Sequence, residues 1–296
     1  MVEDPSTTLG TNDPVAAKCR EPMFETGYAK INLALHVRRR RADGYHELET
    51  LFAFADTGDE LSAVASDTLS LSITGPFAHG LTAGPDNLVL RAARALQDHY
   101  GVSTGAAVTL DKHLPIASGI GGGSADAAAA LRLLVRLWRL PEDQEALRKI
   151  GAQLGADVPA CIASETCMGF GTGTELVPIN LPDVEGTPLL LVNPLMPCPT
   201  GPVFAAWDGV DRGELVPEQW ATARNDLQDP ALSLVPVIGE LLDKLASLDG
   251  AKLVRLSGSG ATCFALFDDA ASRDEAKRLV NVEQPAWWVL SSNLKS

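Results

Sequence analysis

A glycine-rich run occupies residues 115–126, with the sequence Pro-Ile-Ala-Ser-Gly-Ile-Gly-Gly-Gly-Ser-Ala-Asp, and an Ala- and Leu-rich segment follows it at residues 127–140. Glycines let backbone N–H groups approach an anion closely, and the N-terminus of the following helix presents the positive end of its dipole to the same point. The pattern therefore predicts a cradle for phosphate groups, and a nucleotide triphosphate is the expected ligand.

Two other phosphate-binding loops do not fit this run. No Lys follows the glycines, as a Walker loop requires, and Ser124 stands where a dinucleotide fingerprint needs its third Gly. A flexible glycine turn between a strand and a helix is the remaining alternative. Four glycines with Ser at a helix start favour the phosphate cradle.

Polar residues alternate with apolar ones along residues 28–37. Ile31, Leu33, Leu35 and Val37 fall on one face, and Lys30, Asn32, Ala34 and His36 fall on the other. The alternation predicts a half-buried strand, on which Lys30 and Asn32 project together and can reach a cleft. A solvent-facing position is the usual one for a lysine and is the alternative for Lys30.

An acidic residue, Asp157, lies in the sequence Gly-Ala-Asp-Val-Pro at residues 155–159. Proline in a first helical turn after Asp predicts the start of a helix. From these residues alone, a plain helix cap is the better interpretation of Asp157.

Length and composition limit the architecture that carries these residues. The chain has 296 residues, 46% of them hydrophobic, which suits about two domains of ~150 residues each. No apolar run approaches the ~18 residues of a membrane span. Residues 1–24 are polar, contain Pro5 and Pro14 and have no signal-peptide core, so we expect a disordered extension there.

Charge and cysteine content exclude several classes of function. A net charge of −14 disfavours nucleic acid as a partner. The basic run at residues 38–41 is short and predicts a solvated hairpin turn, with local steering of phosphates as the less favoured interpretation. Five cysteines at irregular spacing form no C-x-x-C pair, which argues against disulfides and a zinc site and favours a reducing cytoplasm.

The remaining pattern predicts an α+β chain. Helices are expected at residues 88–100 and 127–140. A further helix follows Pro141 and runs to about residue 154, and two more are expected at residues 230–248 and 270–280. Strands are expected at residues 48–55, within 61–74, and at 105–111, 189–192, 252–256, 261–267 and 287–290. Residues 170–173 predict a turn, and Ser-Gly-Ser-Gly at residues 257–260 predicts a second glycine turn.

Five stretches in this order resemble the GHMP kinase superfamily. They are Ala-Lys-Ile-Asn-Leu at 29–33, Arg-Ala-Asp-Gly-Tyr-His at 41–46, the glycine-rich run, Leu-Gly-Ala-Asp-Val-Pro at 154–159 and Leu-Ser-Gly-Ser-Gly-Ala at 256–261. The second and fourth are characteristic of the kinases that act on a cytidine-diphosphate-linked methylerythritol. The match spans about residue 25 to the C-terminus, and Ala125 departs from it because many members have a second Ser there.

The resemblance implies a two-domain α+β fold. Residues 25–178 would form an ATP-binding domain of the ribosomal protein S5 domain 2-like type, and residues 179–296 a ferredoxin-like domain, with the active site between them. It implies transfer of the γ-phosphoryl group of ATP, accompanied by Mg²⁺, to the 2-hydroxyl of the cytidine-linked substrate in non-mevalonate isoprenoid biosynthesis. The implied protein is cytoplasmic, a monomer or weak homodimer, and uses no nucleic acid or membrane.

The resemblance also implies roles for individual residues, with Lys30 placing positive charge near the transferred phosphoryl group and Asp157 at the position of the base. No protein residue is predicted as a metal ligand. The implied ATP-binding residues are Asn87, Lys112, Pro115, Gly119, Gly121, Gly122, Gly123, Ser124 and Ala125. The implied substrate-binding residues are Asn32, Tyr45, His46, Thr200, Phe204, Gly258 and Ser259.

Two other functions stay open at this point. One is a GHMP kinase that acts on a mevalonate derivative or homoserine, which the Ala-Asp-Gly-Tyr-His stretch disfavours. The other is a catalytically inactive nucleotide-binding or regulatory member of the superfamily. The presence of both Lys30 and Asp157 beside the glycine-rich run disfavours it.

Overall fold

The first sheet builds the wall that carries the glycine-rich run. The computed structural model describes residues 21–295. The strands of this sheet are β1 (Met23–Arg40), β2 (His46–Ser66), β3 (Ser70–Thr74), β4 (Gly105–Asp111), β5 (Cys167–Gly171) and β6 (Glu175–Pro178). The order is β3-β4-β2-β5-β6, and β1 pairs along β2. All pairs are antiparallel except β3 with β4.

Four helices cover this sheet. They are α1 (Leu88–Tyr100), α2 (Gly122–Leu137), α3 (Gln144–Leu154) and α4 (Val158–Ala163). Helix α2 packs between the sheet and the other three helices. Its alanines 127–130 are fully buried, and such small side chains allow close approach of the neighbouring backbones. The prediction of a central, covered helix is confirmed, although the helix begins inside the glycine run rather than after it.

The second sheet belongs to the C-terminal half of the chain. Its elements in chain order are β7 (Pro188–Asn193), α5 (Thr200–Ala205), α6 (Gln228–Leu234), α7 (Val237–Ala246), β8 (Ala251–Leu256), β9 (Cys263–Phe267), α8 (Ala270–Glu283) and β10 (Trp288–Asn293). The four strands are antiparallel in the order β10-β7-β9-β8. This order and the alternation of strands with helices are those of a ferredoxin-like unit.

Strand β1 differs from its prediction because it is covered on both faces. Residues 29–37 are all buried, and bulges at Tyr28/Lys30 and Asn32/Ala34 interrupt the strict alternation. His36 therefore does not reach the cleft: its Nδ1 lies 3.1 Å from the Gly213 carbonyl oxygen. Burial, followed by the nearby Arg224, lowers the pKa of His36.

Two other predictions differ from the structure, one at Pro236 and one near the start of the chain. The helix predicted at residues 230–248 is two helices, α6 and α7, because Pro236 lies between them and cannot continue the first. Of the extension predicted at residues 1–24, residues 1–20 lie outside the described residues. The prediction is wrong at Met23 and Phe24, because these residues already belong to β1 and pair with β2.

Within residues 21–295, no helix is long and apolar enough to cross a membrane. The same part of the chain contains no cluster of three or more His, Cys, Asp or Glu side chains arranged to hold a metal ion. Its cysteines are buried free thiols at positions 161, 167, 198 and 263. Cys19 lies outside the described residues.

Candidate active site

A cleft of about 880 Å³ lies where the two sheets and their loops meet. Its wall includes the glycine loop (residues 115–124) and, in contact with that loop, the second glycine turn (residues 257–260). Most of the predicted site residues line the cleft: Lys30, Asn32, Tyr45, His46, Gly119, Gly121, Gly122, Gly123, Ser124, Asp157, Thr200, Phe204, Gly258 and Ser259.

The glycine loop leads directly into the first turn of α2. Gly121 is the N-cap, with φ of 66°, a left-handed conformation that glycine adopts without steric cost. The first intrahelical bond runs from the Ala125 amide to the Gly121 carbonyl at 2.8 Å. The amides of Gly122, Gly123 and Ser124 precede it and are first-turn donors without helical partners. Their placement is the one that the sequence predicts for an anion-binding loop.

The tip of the glycine loop is held by three bonds from distant parts of the chain. The Lys30 amide donates to the Ile120 carbonyl at 3.0 Å, and the Thr262 amide donates to the Ser118 carbonyl at 3.1 Å. The Ser257 hydroxyl donates to the Gly119 carbonyl at 3.0 Å. Because both sheets contribute, the loop conformation depends on their packing.

Lys30 and Asp157 form an ion pair in the middle of the cleft. Their Nζ and Oδ2 atoms are 3.1 Å apart, and Lys30 also donates to Asn32 Oδ1 at 2.9 Å and lies 5.1 Å from the Phe52 ring centre. The Lys30 side chain is 4% exposed, whereas that of Asp157 is 35% exposed. The buried Lys30 ammonium thus holds the Asp157 carboxylate, which a ligand in the cleft can still contact.

Asp157 occupies the N-cap position of α4, but its side chain makes no capping bond. The plain cap interpretation therefore does not describe what the carboxylate does. It turns toward Lys30 instead, a partner on β1 that no local pattern could identify.

Asn32 continues the polar network toward β2. Its Nδ2 donates to the Thr50 hydroxyl at 2.7 Å, and that hydroxyl donates to the Ala34 carbonyl at 2.8 Å. The Asn32 amide in turn donates to Ser257 Oγ at 3.3 Å. Asn32 is therefore fixed on three sides with its carboxamide beside the Lys30 ammonium.

Aromatic side chains line the other end of the cleft. The His46 ring lies 5.0 Å from the Phe204 ring and 5.7 Å from the Trp207 ring, whereas Tyr45 is 65% exposed. His46 Nε2 is buried without a hydrogen-bond partner among the described residues. Burial and then the positive charge of Arg40 lower the pKa of His46, which favours a neutral imidazole.

Hydrogen bonds from neighbouring side chains hold the second glycine turn in place. Thr200 Oγ1 and Ser259 Oγ are 3.0 Å apart at the cleft surface. Asn225 Nδ2 donates to the carbonyl oxygens of Leu256 and Gly258 at 2.8 Å and 2.7 Å. Gly258 has φ of 55°, and a Cβ there would meet Asn32 Oδ1 at 3.2 Å. Glycine at this position permits the close approach of the turn to β1.

The remaining predicted residues, all assigned to ATP, do not line this cleft. Asn87 caps α1 by accepting from the Val89 amide at 2.9 Å. Ala125 is buried in the core, with its amide used inside α2. Pro115 is buried and borders a neighbouring apolar groove. Lys112 is 2% exposed and forms ion pairs with Asp59 and Asp126 beneath the loop.

Several cleft residues were not predicted from the sequence. They include Arg40, Thr50, Phe52, Leu88, Ala117, Ser118, Thr172 and Gly173. The turn predicted at residues 170–173 overlaps the end of β5 and the connection to β6, but no sequence pattern placed Thr172 at the cleft. Among the described residues that line the cleft, Lys30 and Arg40 are the cations, and Asp157 is the carboxylate.

Comparison with family models places both halves of the chain. Residues 87–165 match the model described as GHMP kinases N terminal domain, and residues 208–281 match GHMP kinases C terminal. The first match contains the glycine loop and Asp157, and the second contains the second glycine turn.

Individual proteins show the same likeness. The chain is 55% identical over 281 residues to the 4-diphosphocytidyl-2-C-methyl-D-erythritol kinase of Sphingopyxis alaskensis, with coverage of 92% of this chain and 99% of that protein. It is 53% identical over 277 residues to the protein of the same name from Rhizorhabdus wittichii, with coverage of 92% and 94%.

Solved structures share the fold. A crystal structure of 4-(cytidine 5'-diphospho)-2C-methyl-D-erythritol kinase superimposes with a TM-score of 0.79 at 32% identity, covering 93% of this chain and 100% of that one. Homoserine kinase from Cytophaga hutchinsonii matches with a TM-score of 0.66 at 16% identity, covering 93% and 95%, a likeness of fold alone.

Proposed function

This chain belongs to the 4-diphosphocytidyl-2-C-methyl-D-erythritol kinase family of GHMP kinases, and we propose that it transfers the γ-phosphoryl group of ATP to the 2-hydroxyl of 4-diphosphocytidyl-2-C-methyl-D-erythritol. This phosphorylation is a step of non-mevalonate isoprenoid precursor biosynthesis. The observation that carries the proposal is the Lys30–Asp157 ion pair. It lies in one cleft with a phosphate-binding loop on one side and a cluster of aromatic rings on the other.

The glycine loop binds the ATP phosphates through its backbone. The amides of Gly122, Gly123 and Ser124 are donors at the positive end of the α2 dipole, and the Ser124 hydroxyl lines the same surface. Backbone donors need no reorganisation when charge develops, so they stabilise both bound triphosphate and the transition state.

Asp157 accepts the proton of the substrate hydroxyl as that oxygen attacks the γ-phosphorus, and Lys30 stabilises the negative charge on the transferred phosphoryl oxygens. The observed pairing supports this division of roles. Lys30 is nearly fully buried, so its charge is weakly screened, and Asp157 stays accessible to a hydroxyl in the cleft. Asn32 fixes the direction of the ammonium.

Magnesium fits this site because Mg²⁺ usually keeps several waters and takes one or two protein carboxylates together with substrate phosphates. The Ser124 hydroxyl is the side chain that would hold it, and the Asp157 carboxylate would offset its charge from the same cleft. When bound with ATP, the ion offsets charge on the β- and γ-phosphate oxygens.

The aromatic end binds the cytidine half of the substrate. Tyr45 and Phe204 can stack on a pyrimidine, but stacking distinguishes cytosine poorly from uracil. His46 reads the base edge because its ring is held between Phe204 and Trp207 and remains neutral. A neutral imidazole offers one donor and one acceptor, and an incorrect base leaves one of them unpaired.

An ADP-release assay over a panel of acceptors tests the proposal. The panel contains 4-diphosphocytidyl-2-C-methyl-D-erythritol, its uridine analogue, mevalonate, homoserine and a control without acceptor. We expect turnover with the cytidine compound and a much lower kcat/KM with the others. Preferred turnover of mevalonate or homoserine would indicate a different GHMP kinase. ATP binding without turnover of any acceptor would indicate an inactive member.

We further propose that residues 25–178 and 179–296 are the two domains, and that the protein works as a cytoplasmic monomer or weak homodimer without nucleic acid or a membrane. The two separate sheets support the division into domains, and the net charge of −14 supports the lack of a nucleic-acid partner. Sedimentation at several protein concentrations tests the oligomeric state, and a concentration-independent tetramer would contradict it.

A further inference from the structure

Three charged residues are buried beneath the glycine loop, outside the cleft. Asp59 on β2, Lys112 after β4 and Asp126 on α2 are 0%, 2% and 3% exposed. Lys112 Nζ lies 2.5 Å from Asp59 Oδ2 and 2.6 Å from Asp126 Oδ2. We call these three residues the buried charge cluster.

The cluster joins the two stems of the glycine loop. Asp59 Oδ1 accepts hydrogen bonds from the amides of His113 and Leu114 at 2.6 Å and 2.8 Å, so it fixes the chain where β4 ends. Asp126 lies on α2, just after the loop. Because Lys112 contacts both carboxylates, one ammonium links the segment that enters the loop to the helix that leaves it.

The conformation of the loop explains why such a link matters. Ala117, Gly119 and Gly121 have φ of 51°, 79° and 66°, and glycine-rich backbone loses much conformational entropy when it is ordered. The three bonds described above hold the tip of the loop, and the buried charge cluster holds its base. A Cβ on Gly122 would lie 3.2 Å from Lys112 Nζ, so the ammonium sits directly behind the backbone of the cradle.

Burying two carboxylates on one ammonium is electrostatically expensive. Asp126 Oδ1 is buried without a hydrogen-bond partner among the described residues. Burial raises the pKa of Asp126, the attraction of Lys112 opposes that rise, and the Asp59 charge adds to it. Apolar side chains of similar volume would fill this space at a lower cost in desolvation free energy, which argues for a role of the three charges beyond packing.

We infer that Asp59, Lys112 and Asp126 are positioning residues that hold the glycine loop in its phosphate-binding conformation before ATP arrives. Lys112 then acts on the nucleotide through the loop rather than by touching it. This inference rests on the proposed function of the loop.

Asp126→Ala distinguishes this role from direct phosphate binding by Lys112. The substitution removes a carboxylate but keeps the ammonium. If Lys112 contacted phosphate directly, loss of a competing anion would leave ATP affinity unchanged or increase it. If the cluster positions the loop, the loop loosens and ATP affinity falls roughly tenfold, the size expected from a lost buried bond to a charged group.

Two measurements on the full chain test the inference. Hydrogen exchange without ATP should show faster exchange at residues 116–124 in Asp126→Ala than in wild type. Calorimetric titration with ATP alone should show the weaker binding. Steady-state kinetics should then show a raised KM for ATP, with kcat at saturating ATP and KM for the alcohol substrate changed less than about twofold.

Matched variants separate positioning from general damage. Asp126→Asn keeps an oxygen for Lys112 and should retain most of the loop protection. Asp59→Asn keeps an acceptor for the His113 and Leu114 amides while placing an NH₂ group toward Lys112, and should loosen the loop even if Asp126→Ala does not fold. Asp98→Ala, an exposed change on α1, should alter neither measurement.

Unchanged exchange at residues 116–124 in a folded Asp126→Ala protein, or ATP binding as tight as wild type, would overturn the inference. The exchange comparison needs no nucleotide. It therefore judges the buried charge cluster even if wild type binds no ATP, a result that would overturn the proposed function alone.

Discussion

The two ends of the cleft are built from different parts of the polypeptide. At the phosphate end, backbone amides face the cleft, and hydrogen bonds from both sheets together with the buried charge cluster fix the loop. At the aromatic end, side chains form the surface, Tyr45 is 65% exposed, and His46 Nε2 has no hydrogen-bond partner among the described residues. The phosphate end is thus fixed by bonds within the protein, whereas the aromatic end contains a ring nitrogen that has no partner among the described residues.

The difference matches the ligand that we propose for each end. Phosphate groups are alike in all nucleotides, so a rigid backbone cradle gives affinity without selectivity. A pyrimidine edge differs between bases only in its donors and acceptors, so side chains with unpaired groups are needed to choose. We therefore expect substitutions at the two ends to act on different substrates, with Lys30 and Asp157 between them acting on the chemical step.

Asp157→Asn should have the largest effect, because it lies where the two ends meet. We expect kcat to fall by ~10²–10⁴, the range typical of a lost general base, with KM for ATP and for the cytidine substrate changed little. Steady-state kinetics measure both. Asp98→Asn, an exposed amide change on α1, is the control and should be inert. Wild-type turnover in a folded Asp157→Asn protein would remove this carboxylate from the mechanism.

His46→Ala should act on the aromatic end alone. Loss of the base-edge contact leaves a polar group of the substrate unpaired, so KM for the cytidine substrate should rise by roughly 10- to 100-fold. Phe204→Ala should raise it less, because one stacking partner remains. KM for ATP should stay near its wild-type value in both. If ATP binding weakens and the cytidine substrate is unaffected, the two ends have been assigned the wrong way round.

Gly121→Ala should weaken the phosphate end and spare the aromatic end. The new Cβ would be held at φ of 66° and would meet Lys30 Cε at 3.2 Å, so the loop must shift and KM for ATP should rise by roughly tenfold. Gly101→Ala is a matched control, since Gly101 has the same φ but nothing within 4 Å. Both variants should lose roughly 1 kcal/mol of stability. Equal ATP affinity in the two would show that the cradle tolerates a side chain at Gly121.

The smallest expected effect is a shift in pH dependence at the aromatic end. Burial and Arg40 lower the pKa of His46, so its neutral form persists below pH 6.5, and KM for the cytidine substrate should rise only at more acidic pH. Arg40→Gln removes the positive charge, which raises that pKa and moves the rise in KM to higher pH. Arg40→Lys keeps the charge and should leave the profile in place. Identical profiles for wild type and Arg40→Gln would show that the Arg40 charge does not act on the protonation of His46.

The elements that carry the site were largely predictable, since helical and alternating patterns are local. Asn87 and the start of α1 follow from capping chemistry, and the glycine loop follows from its composition. The covered second face of β1 was not predictable, because the bulges and the packing against the C-terminal half depend on contacts far away in sequence.

The pairings inside the site lay beyond sequence patterns for the same reason. Asp157 was indistinguishable from a helix cap until Lys30 was found beside it. Lys112 was predicted to contact ATP, but its partners Asp59 and Asp126 are recognisable only in three dimensions. Thr50 reads as an ordinary strand residue, and only its bond to Asn32 brings it into the site.

The chain of bonds from Asn32 through Ser257 to Gly119 has a consequence for the order of folding. It joins residues that are 225 and 138 positions apart in sequence. Contacts of such separation form late, because long segments must first be brought together at a cost in loop-closure entropy. During refolding, nucleotide binding should therefore appear after secondary structure has formed and after the two halves have docked. A nascent chain released before β8 is synthesised would hold the glycine loop without the partners that shape it.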